Sequence, residues 1–263
     1  MMGRVITAYQ VELLKALRWK YTYVGPVLVV LMVTLAPFVH AISDEAVGPY
    51  RFIAFATPSA LNLLGLFLLI SFSAGLVSTE TASGTIRLLL TRPLKRHEFI
   101  LAKLMTGCTY AVLLSVCVAI ASWGLAAAFG RLTGVEYGGE VMFTSGYMLK
   151  TYVAGLLLSL APQFAFVAYA VMISTVVKNT GAAVASAIGF WIVLDAVKYP
   201  LGFAPLLFAT YLETPWEAFR SCCDGQETAW APAIYWCLAT SGSAILLFSA
   251  ASMAALHRRN LQA

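Results

Sequence analysis

Few residues in this sequence combine the type and the spacing that catalysis or nucleotide binding requires. His97 and Glu98 are adjacent, but the second histidine of a zinc-binding H-E-x-x-H helix is missing. Ser83 and Gly84 lack the preceding glycine of a G-x-S-G nucleophile motif. The phosphate loop G-x-x-x-x-G-K-S/T is absent, and no Gly-Lys dipeptide occurs anywhere. The chain alone is therefore not expected to hydrolyse ATP or peptides.

The composition is that of a membrane protein. Of the 263 residues, 60% are hydrophobic and only 11% are charged, and the mean hydropathy is +0.82. Soluble domains carry about a quarter charged residues. The net charge of +5 does not indicate nucleic-acid binding, because the basic residues are scattered and form no stripe interleaved with aromatic residues. The five cysteines form no metal-binding pattern.

The apolar runs predict an all-α integral membrane protein with six transmembrane helices in one domain, residues 1–263. Each run is close to or longer than the roughly 20 residues that cross a bilayer. The predicted spans are 21–41, 58–78, 103–129, 148–177, 181–198 and 231–256. Residues 1–20 have apolar residues at helical spacing, which predicts an N-terminal amphipathic helix at the membrane interface.

Lysine and arginine concentrate on one side of the predicted spans, which indicates the orientation. Twelve of the 17 basic and three of the 12 acidic residues fall on that side, giving it a net charge of +9 against −4 on the other. Basic residues near span ends are retained in the cytoplasm. We therefore predict a multi-pass protein of the plasma (inner) membrane with both termini cytoplasmic.

The predicted outer loops are 42–57, 130–147 and 199–230. Within the last loop, residues 203–212 are apolar but too short to span, which predicts either a re-entrant or interfacial hairpin before span 6 or a folded extracellular cap. Cys222 and Cys223 in the same loop are either ordinary loop residues or a disulfide between subunits.

The fifth predicted span carries a ridge of small residues. Gly181, Ala185 and Gly189 recur every fourth residue, which allows close approach of another helix, either in the same chain or in a second copy. Asp195 and Lys198 lie three residues apart and are expected to pair on one helix face.

The predicted cytoplasmic loop 79–102 has more structure than a connector needs. Ser83 and Gly84 predict a turn, Thr85 an N-cap, residues 86–91 a short helix, and Pro93 a break before the next helix. The apolar side chains of this short helix have no burial site within such a loop. We therefore expect a partner to dock beneath it.

Here the chain resembles the type-2 ABC transporter permeases. The matching pattern is Glu80, then Gly84-Thr85, then Leu88 to Leu90, then Thr91-Arg92-Pro93, Arg96 and Lys103. The resemblance implies that this loop is a coupling helix lodged in a separate ATPase subunit. Glu80 would face a basic residue of the ATPase, Gly84 would allow the turn, and Ile86 to Leu90 would fill the groove. The implied coupling residues are Glu80, Gly84, Thr85, Ile86, Arg87, Leu88, Leu89, Leu90, Arg92, Pro93 and Arg96.

The same resemblance implies the assembly and its function. Two permeases, identical or related, would enclose a path and pair with two copies of an ABC-type ATPase in the lipid bilayer. This chain would bind no cofactor itself, whereas ATP and Mg would bind to the ATPase, and the complex would act as an exporter. Two alternatives remain at this stage: an intramembrane protease, whose catalytic residues are missing, and a nonenzymatic membrane scaffold or sensor. A carrier driven by ion gradients is less favoured, because such proteins usually keep ionisable residues near the middle of the membrane and the predicted span centres here are nearly free of charge.

Overall fold

The computed structural model describes residues 2–39, 48–84, 95–137, 140–226 and 230–258. Six helices in this part of the chain are long and apolar enough to cross a membrane. The elements, in chain order, are the N-terminal helix Met2–Arg18; span 1, Lys20–Val39; span 2, formed by Pro49–Pro58, Ser59–Gly65 and Leu66–Ala82; span 3, Arg96–Phe129; the strands Gly134–Tyr137 and Glu140–Thr144; span 4, Ser145–Val176; span 5, Thr180–Val197; the 3-10 turns Ala204–Leu206 and Phe208–Leu212; the helix Thr214–Cys223; and span 6, Ala231–Arg258. The prediction of six helical spans is confirmed.

Span 2 begins earlier than the sequence predicted. Its helix starts at Pro49 rather than at residue 58, so much of the predicted outer loop 42–57 is helical. Proline suits the first helical turn, where its missing N–H has no partner to lose. Tyr50, Ile53 and Thr57 are buried along this extension, while Arg51 pairs with Asp224. The arginine interrupted the apolar run without interrupting the helix.

The centre of the bundle is formed by spans 2 and 4, which are the most deeply buried, whereas span 5 is the least. Close approach between helices depends on two glycines. A Cβ on Gly107 of span 3 would lie 2.4 Å from Val167 Cγ1 of span 4. A Cβ on Gly25 of span 1 would lie 1.9 Å from the Tyr110 hydroxyl of span 3. Small residues thus allow neighbouring helices to pack backbone to side chain.

The N-terminal helix packs against span 3, as the hydroxyl contact of 2.7 Å between Tyr9 and Thr109 shows. The side that faces the bundle includes Glu12 and Ala16, which are buried. Leu14 and Leu17 are about half exposed and point away from the bundle. The helix therefore presents an apolar surface outward and an acidic residue inward. We call the bundle end that it covers the inner end and the opposite end the outer end.

A short β-hairpin joins spans 3 and 4 at the outer end, which the prediction of an all-α fold with a loop at 130–147 missed. Gly134–Tyr137 pairs antiparallel with Glu140–Thr144, and the register shifts between Val135 and Glu136. Span 4 begins directly after the second strand, where the Thr144 hydroxyl accepts a hydrogen bond from the Tyr147 amide. The threonine therefore serves as the N-cap of the span.

The residues between spans 5 and 6 form a folded segment that enters the bundle. The Phe208 ring packs 4.8 Å from the Phe166 ring and 6.2 Å from the Phe248 ring, measured between centroids. Both partners lie past the midpoints of spans 4 and 6, counted from the outer end. The helix Thr214–Cys223 instead stays at the outer end, where Trp216 packs on Tyr152. The first half of this segment thus reaches inside the bundle, and the second half covers its end.

Candidate functional site

Four charged side chains from three elements meet at the inner end of the bundle. Glu12 and Lys15 lie on the N-terminal helix, three residues apart, and therefore share one face. Glu80 lies in the last turn of span 2 and Lys103 in the second turn of span 3. We call these four residues the charge cluster.

The charge cluster is a closed ring of ion pairs. Glu80 Oε1 accepts hydrogen bonds from Lys103 Nζ at 2.8 Å and from Lys15 Nζ at 3.0 Å. Lys15 Nζ also donates to Glu12 Oε1 at 2.7 Å, and Lys103 Nζ donates to Glu12 Oε2. Two carboxylates thus face two ammonium groups, so the cluster is electrically balanced. Lys103 Nζ also lies 5.2 Å from the centre of the Phe99 ring, within the range of a cation–π contact.

Burial makes these pairs stronger than ordinary surface pairs. The side chain of Lys103 is 2% exposed and that of Glu12 is 8% exposed, whereas Lys15 is 46% exposed. Burial alone would raise the pKa of the Glu12 carboxyl, but the charge of Lys103 and the hydrogen bonds from Lys103 and Lys15 outweigh it and lower the pKa. For Lys15, burial opposes the charged form, but bonding to Glu12 and the charge of Glu80 raise its pKa. Glu12 and Lys15 are therefore both held in their charged forms.

The cluster closes the base of the cytoplasmic loop predicted at 79–102. Glu80 lies at the start of that loop and Lys103 directly after its end, so their ion pair joins its two ends. Gly84 adopts a left-handed conformation, φ +71°, which confirms the turn expected there. Apart from Arg96, the other predicted coupling residues between these ends lie outside the described residues, at positions 85–94: Thr85, Ile86, Arg87, Leu88, Leu89, Leu90, Arg92 and Pro93.

Glu80 has two basic partners within its own chain. The resemblance implied a basic residue of an ATPase, whereas the carboxylate contacts Lys15 and Lys103 of its own chain. Its side chain is only 13% exposed. The physical reason is that a lysine buried in an apolar helix needs a counter-charge, and Glu80 is close enough to provide one.

Arg96 connects the start of span 3 to the end of span 6. Its Nη1 donates to the backbone carbonyls of Leu256, at 2.9 Å, and His257, at 2.8 Å. The last carbonyls of a helix have no intrahelical donor, so a guanidinium satisfies them well. Nearby, the buried Glu98 carboxylate accepts from the Lys95 amide at 2.9 Å and caps span 3. Arg96, a predicted coupling residue, therefore bonds to the end of span 6, and Glu98 caps the start of span 3.

The small-residue ridge on span 5 faces away from the chain's own bundle. Gly181, Ala185 and Gly189 are exposed, whereas Ala183 and Ala187 on the opposite face are buried. A Cβ added at Gly189 would meet no atom within 4 Å. Packing within the chain, one of the two predicted explanations, is therefore not what the ridge does here. The predicted pair of Asp195 and Lys198 is present, with Lys198 Nζ donating to Asp195 Oδ1 at 2.5 Å.

Cys222 and Cys223 are both buried in the helix Thr214–Cys223. The Cys223 thiol lies 3.6 Å from the Tyr50 carbonyl oxygen. Burial, with smaller contributions from Cys222 and Asp224, raises the pKa of the Cys223 thiol to about 12. A thiol held in this state is a poor nucleophile. A disulfide to another subunit would require this helix to leave its packing, so the structure favours buried cysteines without an intersubunit disulfide.

A sequence motif identified Glu80 and Lys103, but no pattern brought Glu12 and Lys15 into the site. One signal was available. Glu12 is the only acidic residue before span 1, and it lies one turn before a lysine on the side of the helix opposite several apolar residues. Within the described part of the chain, no group of three His, Cys, Asp or Glu residues could hold a metal ion.

Six apolar helices in one bundle, with a charged site at the inner end, define a multi-pass membrane protein. A comparison with protein-family models matches residues 8–196 to the family described as ABC-2 family transporter protein. The chain belongs to this family, whose members are the permease subunits of ATP-binding-cassette transporters and work with an ABC ATPase. A comparison with curated proteins finds no match.

Proposed function

We propose that this chain is the membrane-spanning permease subunit of an ATP-driven exporter, coupled to a separate ATPase through the loop that the charge cluster closes. The observation that carries the proposal is the ion pair of 2.8 Å between Glu80 and Lys103. It joins the end of span 2 to the start of span 3 across the predicted coupling loop. A push on that loop would therefore move both spans together rather than separate them.

The N-terminal helix takes part in the same unit. Glu12 and Lys15 bond to the residues on either side of the loop, and Tyr9 contacts Thr109 of span 3. The proposed docking residues, Ile86 to Leu90, would supply the apolar contact with the ATPase. In this scheme Glu80 holds the base of the loop through its contacts with Lys15 and Lys103, and its contact with a basic residue of the ATPase stays a prediction from the family resemblance.

A second permease, identical or related, would cover the exposed small-residue face of span 5. The exposed Gly181, Ala185 and Gly189 allow helix backbones to approach closely. Close packing, rather than the hydrophobic effect, drives the association of membrane helices, because lipid tails are as apolar as the helices. Two permeases and two ATPases would form the working complex. ATP and Mg would bind at the ATPases, since the permease sequence has no phosphate loop.

We propose that the protein lies in the plasma (inner) membrane and that the inner end of its bundle faces the cytoplasm. The charge cluster and the Arg96 contacts lie at that end, and the ion pair between Arg51 and Asp224, 2.7 Å, lies at the other. In this orientation, residues 203–212 would enter the membrane from outside as a re-entrant segment.

Cysteine labelling tests this orientation. In a background without the five native cysteines, a cysteine in place of the exposed Glu217 should react with an impermeant thiol reagent added to intact cells. A cysteine in place of Lys95 should react only after the cells are opened. Labelling of the Lys95 position from outside would reverse the orientation and place the loop out of reach of a cytoplasmic ATPase.

The mass of the intact complex tests the function. We expect mass spectrometry of the protein extracted gently from its native membrane to show two permease chains and two ATPase chains. The ATPase should separate from a variant in which Leu89→Asp places a charge on the predicted docking face, while the exposed outer variant Glu217→Gln should retain it. A permease that leaves the membrane without an ATPase, under conditions that preserve its fold, would contradict the proposal.

A further inference from the structure

Span 2 contains a π-helical turn at Ser59–Gly65, near its middle. In such a turn each amide bonds to the carbonyl five residues before it, so one extra residue is accommodated. Gly65 makes this possible, because a Cβ at that position would lie 2.9 Å from the Ala60 carbonyl oxygen, five residues earlier. Pro58, directly before the turn, has no amide hydrogen to donate and weakens the helix ladder there.

The π turn is also the place where span 2 bonds to the segment that enters the bundle. Asn62 Nδ2 donates to the Leu212 carbonyl at 3.4 Å. Leu212 is 5% exposed and belongs to the same apolar cluster as Phe208. The other amide atom, Asn62 Oδ1, is buried and has no hydrogen-bond partner among the described residues. An unsatisfied buried oxygen raises the free energy of the present arrangement relative to one that provides a donor.

The two halves of span 2 are fixed to different parts of the molecule. Beyond the π turn toward the outer end, the Thr57 hydroxyl bonds to those of Ser122 and Tyr152, at 3.1 and 3.2 Å. Toward the inner end, Glu80 is held in the charge cluster. The turn therefore separates an inner half held by the charge cluster from an outer half held by spans 3 and 4. The ion pair of Arg51 with Asp224 also links the outer half to the end of the helix Thr214–Cys223.

We infer that the π turn is a hinge at which the outer half of span 2 changes register relative to the inner half, and that Asn62 carries this change to the segment Phe208–Leu212. Conversion of a π turn to an α turn shifts the helix by one residue, which is about 100° of rotation and about 1.5 Å of rise. Π turns inside α-helices occur frequently at functional sites. The inference rests on the proposed function for its driving force, the motion of the ATPase.

Amide hydrogen exchange of the complete complex in lipid nanodiscs tests the hinge and needs no knowledge of the substrate. The complex is compared without nucleotide and after trapping with ATP and vanadate. In the wild type, peptides covering Ser59–Gly65 and Phe208–Leu212 should change their exchange rates together, by at least threefold. The Gly65→Ala variant should lose both changes, because its Cβ meets the Ala60 carbonyl. The control is Gly75→Ala in the same span, whose Cβ would meet no atom within 4 Å.

A second variant keeps the test decisive if Gly65→Ala does not fold. Asn62→Leu retains the glycine, so the change at Ser59–Gly65 should persist while that at Phe208–Leu212 disappears. The hinge is wrong if the nucleotide alters amide hydrogen exchange elsewhere in the wild type but not at the π turn. It is also wrong if a folded Gly65→Ala variant shows the same exchange changes as Gly75→Ala. A complex in which no segment responds to nucleotide would instead overturn the proposed function, and the hinge with it.

Discussion

At the scale of single residues, Lys103 decides the chemistry of the inner end. Its side chain is 2% exposed, and it bonds to carboxylates from two different helices. Removing one partner of a buried ion pair leaves an uncompensated charge, and this typically costs about 3–5 kcal/mol. Because the cluster has two acids and two bases, each of its members is needed for its neutrality.

We predict that Lys103→Met destabilises the bundle by about 3–5 kcal/mol, because it leaves Glu12 and Glu80 with one half-exposed lysine between them. Unfolding by denaturant in detergent measures the loss of free energy of unfolding. The matched control, Glu217→Gln at an exposed outer position, should change the free energy of unfolding by about 0.5 kcal/mol or less. Neutralising Glu12, Glu80 and Lys103 together should restore part of the loss, since no unpaired buried charge remains.

The cluster should also make stability depend on pH in a definite direction. The pKa of Glu12 is lowered below its ordinary value of 4.5, so its contribution is complete above that value and is lost as the pH falls through the folded pKa. The difference in unfolding midpoint between wild type and Glu12→Gln should be constant above pH 4.5 and shrink below it. A difference that grows on acidification would show that Glu12 is not held as a carboxylate.

At the scale of elements, sequence periodicity predicted the helices well and their environments poorly. The N-terminal helix was predicted from its apolar spacing, yet its apolar residues Leu14 and Leu17 face outward and Glu12 faces inward. Spacing identifies a face but not what covers that face. The outer start of span 2 was missed because Arg51, whose partner Asp224 is far away in sequence, interrupts the apolar run.

Other elements have no signal that could be read from composition. The π turn at Ser59–Gly65 has the same apolar character as the α-helix on either side, and only its backbone hydrogen bonds, which reach the fifth preceding carbonyl instead of the fourth, distinguish it. The β-hairpin between spans 3 and 4 is short, and its strands lack a long alternating pattern. Such features depend on tertiary contacts that an apolar run does not reveal.

The packing of span 3 on span 4 provides a test at this scale. In Gly107→Ala the new Cβ would lie 2.4 Å from Val167 Cγ1, and valine is stiff about χ1. We expect a loss of about 1–3 kcal/mol from overpacking. Gly124→Ala in the same span is the control, because its Cβ meets no atom within 4 Å. If thermal unfolding shows equal midpoints for the two variants, spans 3 and 4 do not approach as closely as described.

At the scale of the whole molecule, the bundle has a well-buried centre and a lightly covered periphery. Spans 2 and 4 form the centre, and span 5 has the smallest buried share of the six. The charge bias in the sequence grouped the span ends correctly, since Lys15, Glu80 and Lys103 meet at one end. It could not show which side of span 5 would face outward, because small residues occur on both faces of that helix.

We predict that Gly189→Leu weakens the association of two permeases while leaving each one folded, because a bulky side chain prevents close backbone approach. The mass of the particle, measured by light scattering at several protein concentrations, reports the pairing. Gly124→Leu, at another exposed glycine whose Cβ has open space, is the control. Equal pairing of both variants and wild type would place the interface on another face.

The charge cluster also has a consequence for biosynthesis. Glu12 and Lys15 leave the ribosome first, Glu80 follows, and Lys103 comes last, so the ring of ion pairs cannot close before span 3 has been made. Until then the N-terminal helix has no buried cation to hold its carboxylate, and Lys103 in turn enters a membrane in which both of its counter-charges are already present. Insertion of span 3, the step that places a lysine among apolar residues, therefore coincides with docking of the helix Met2–Arg18.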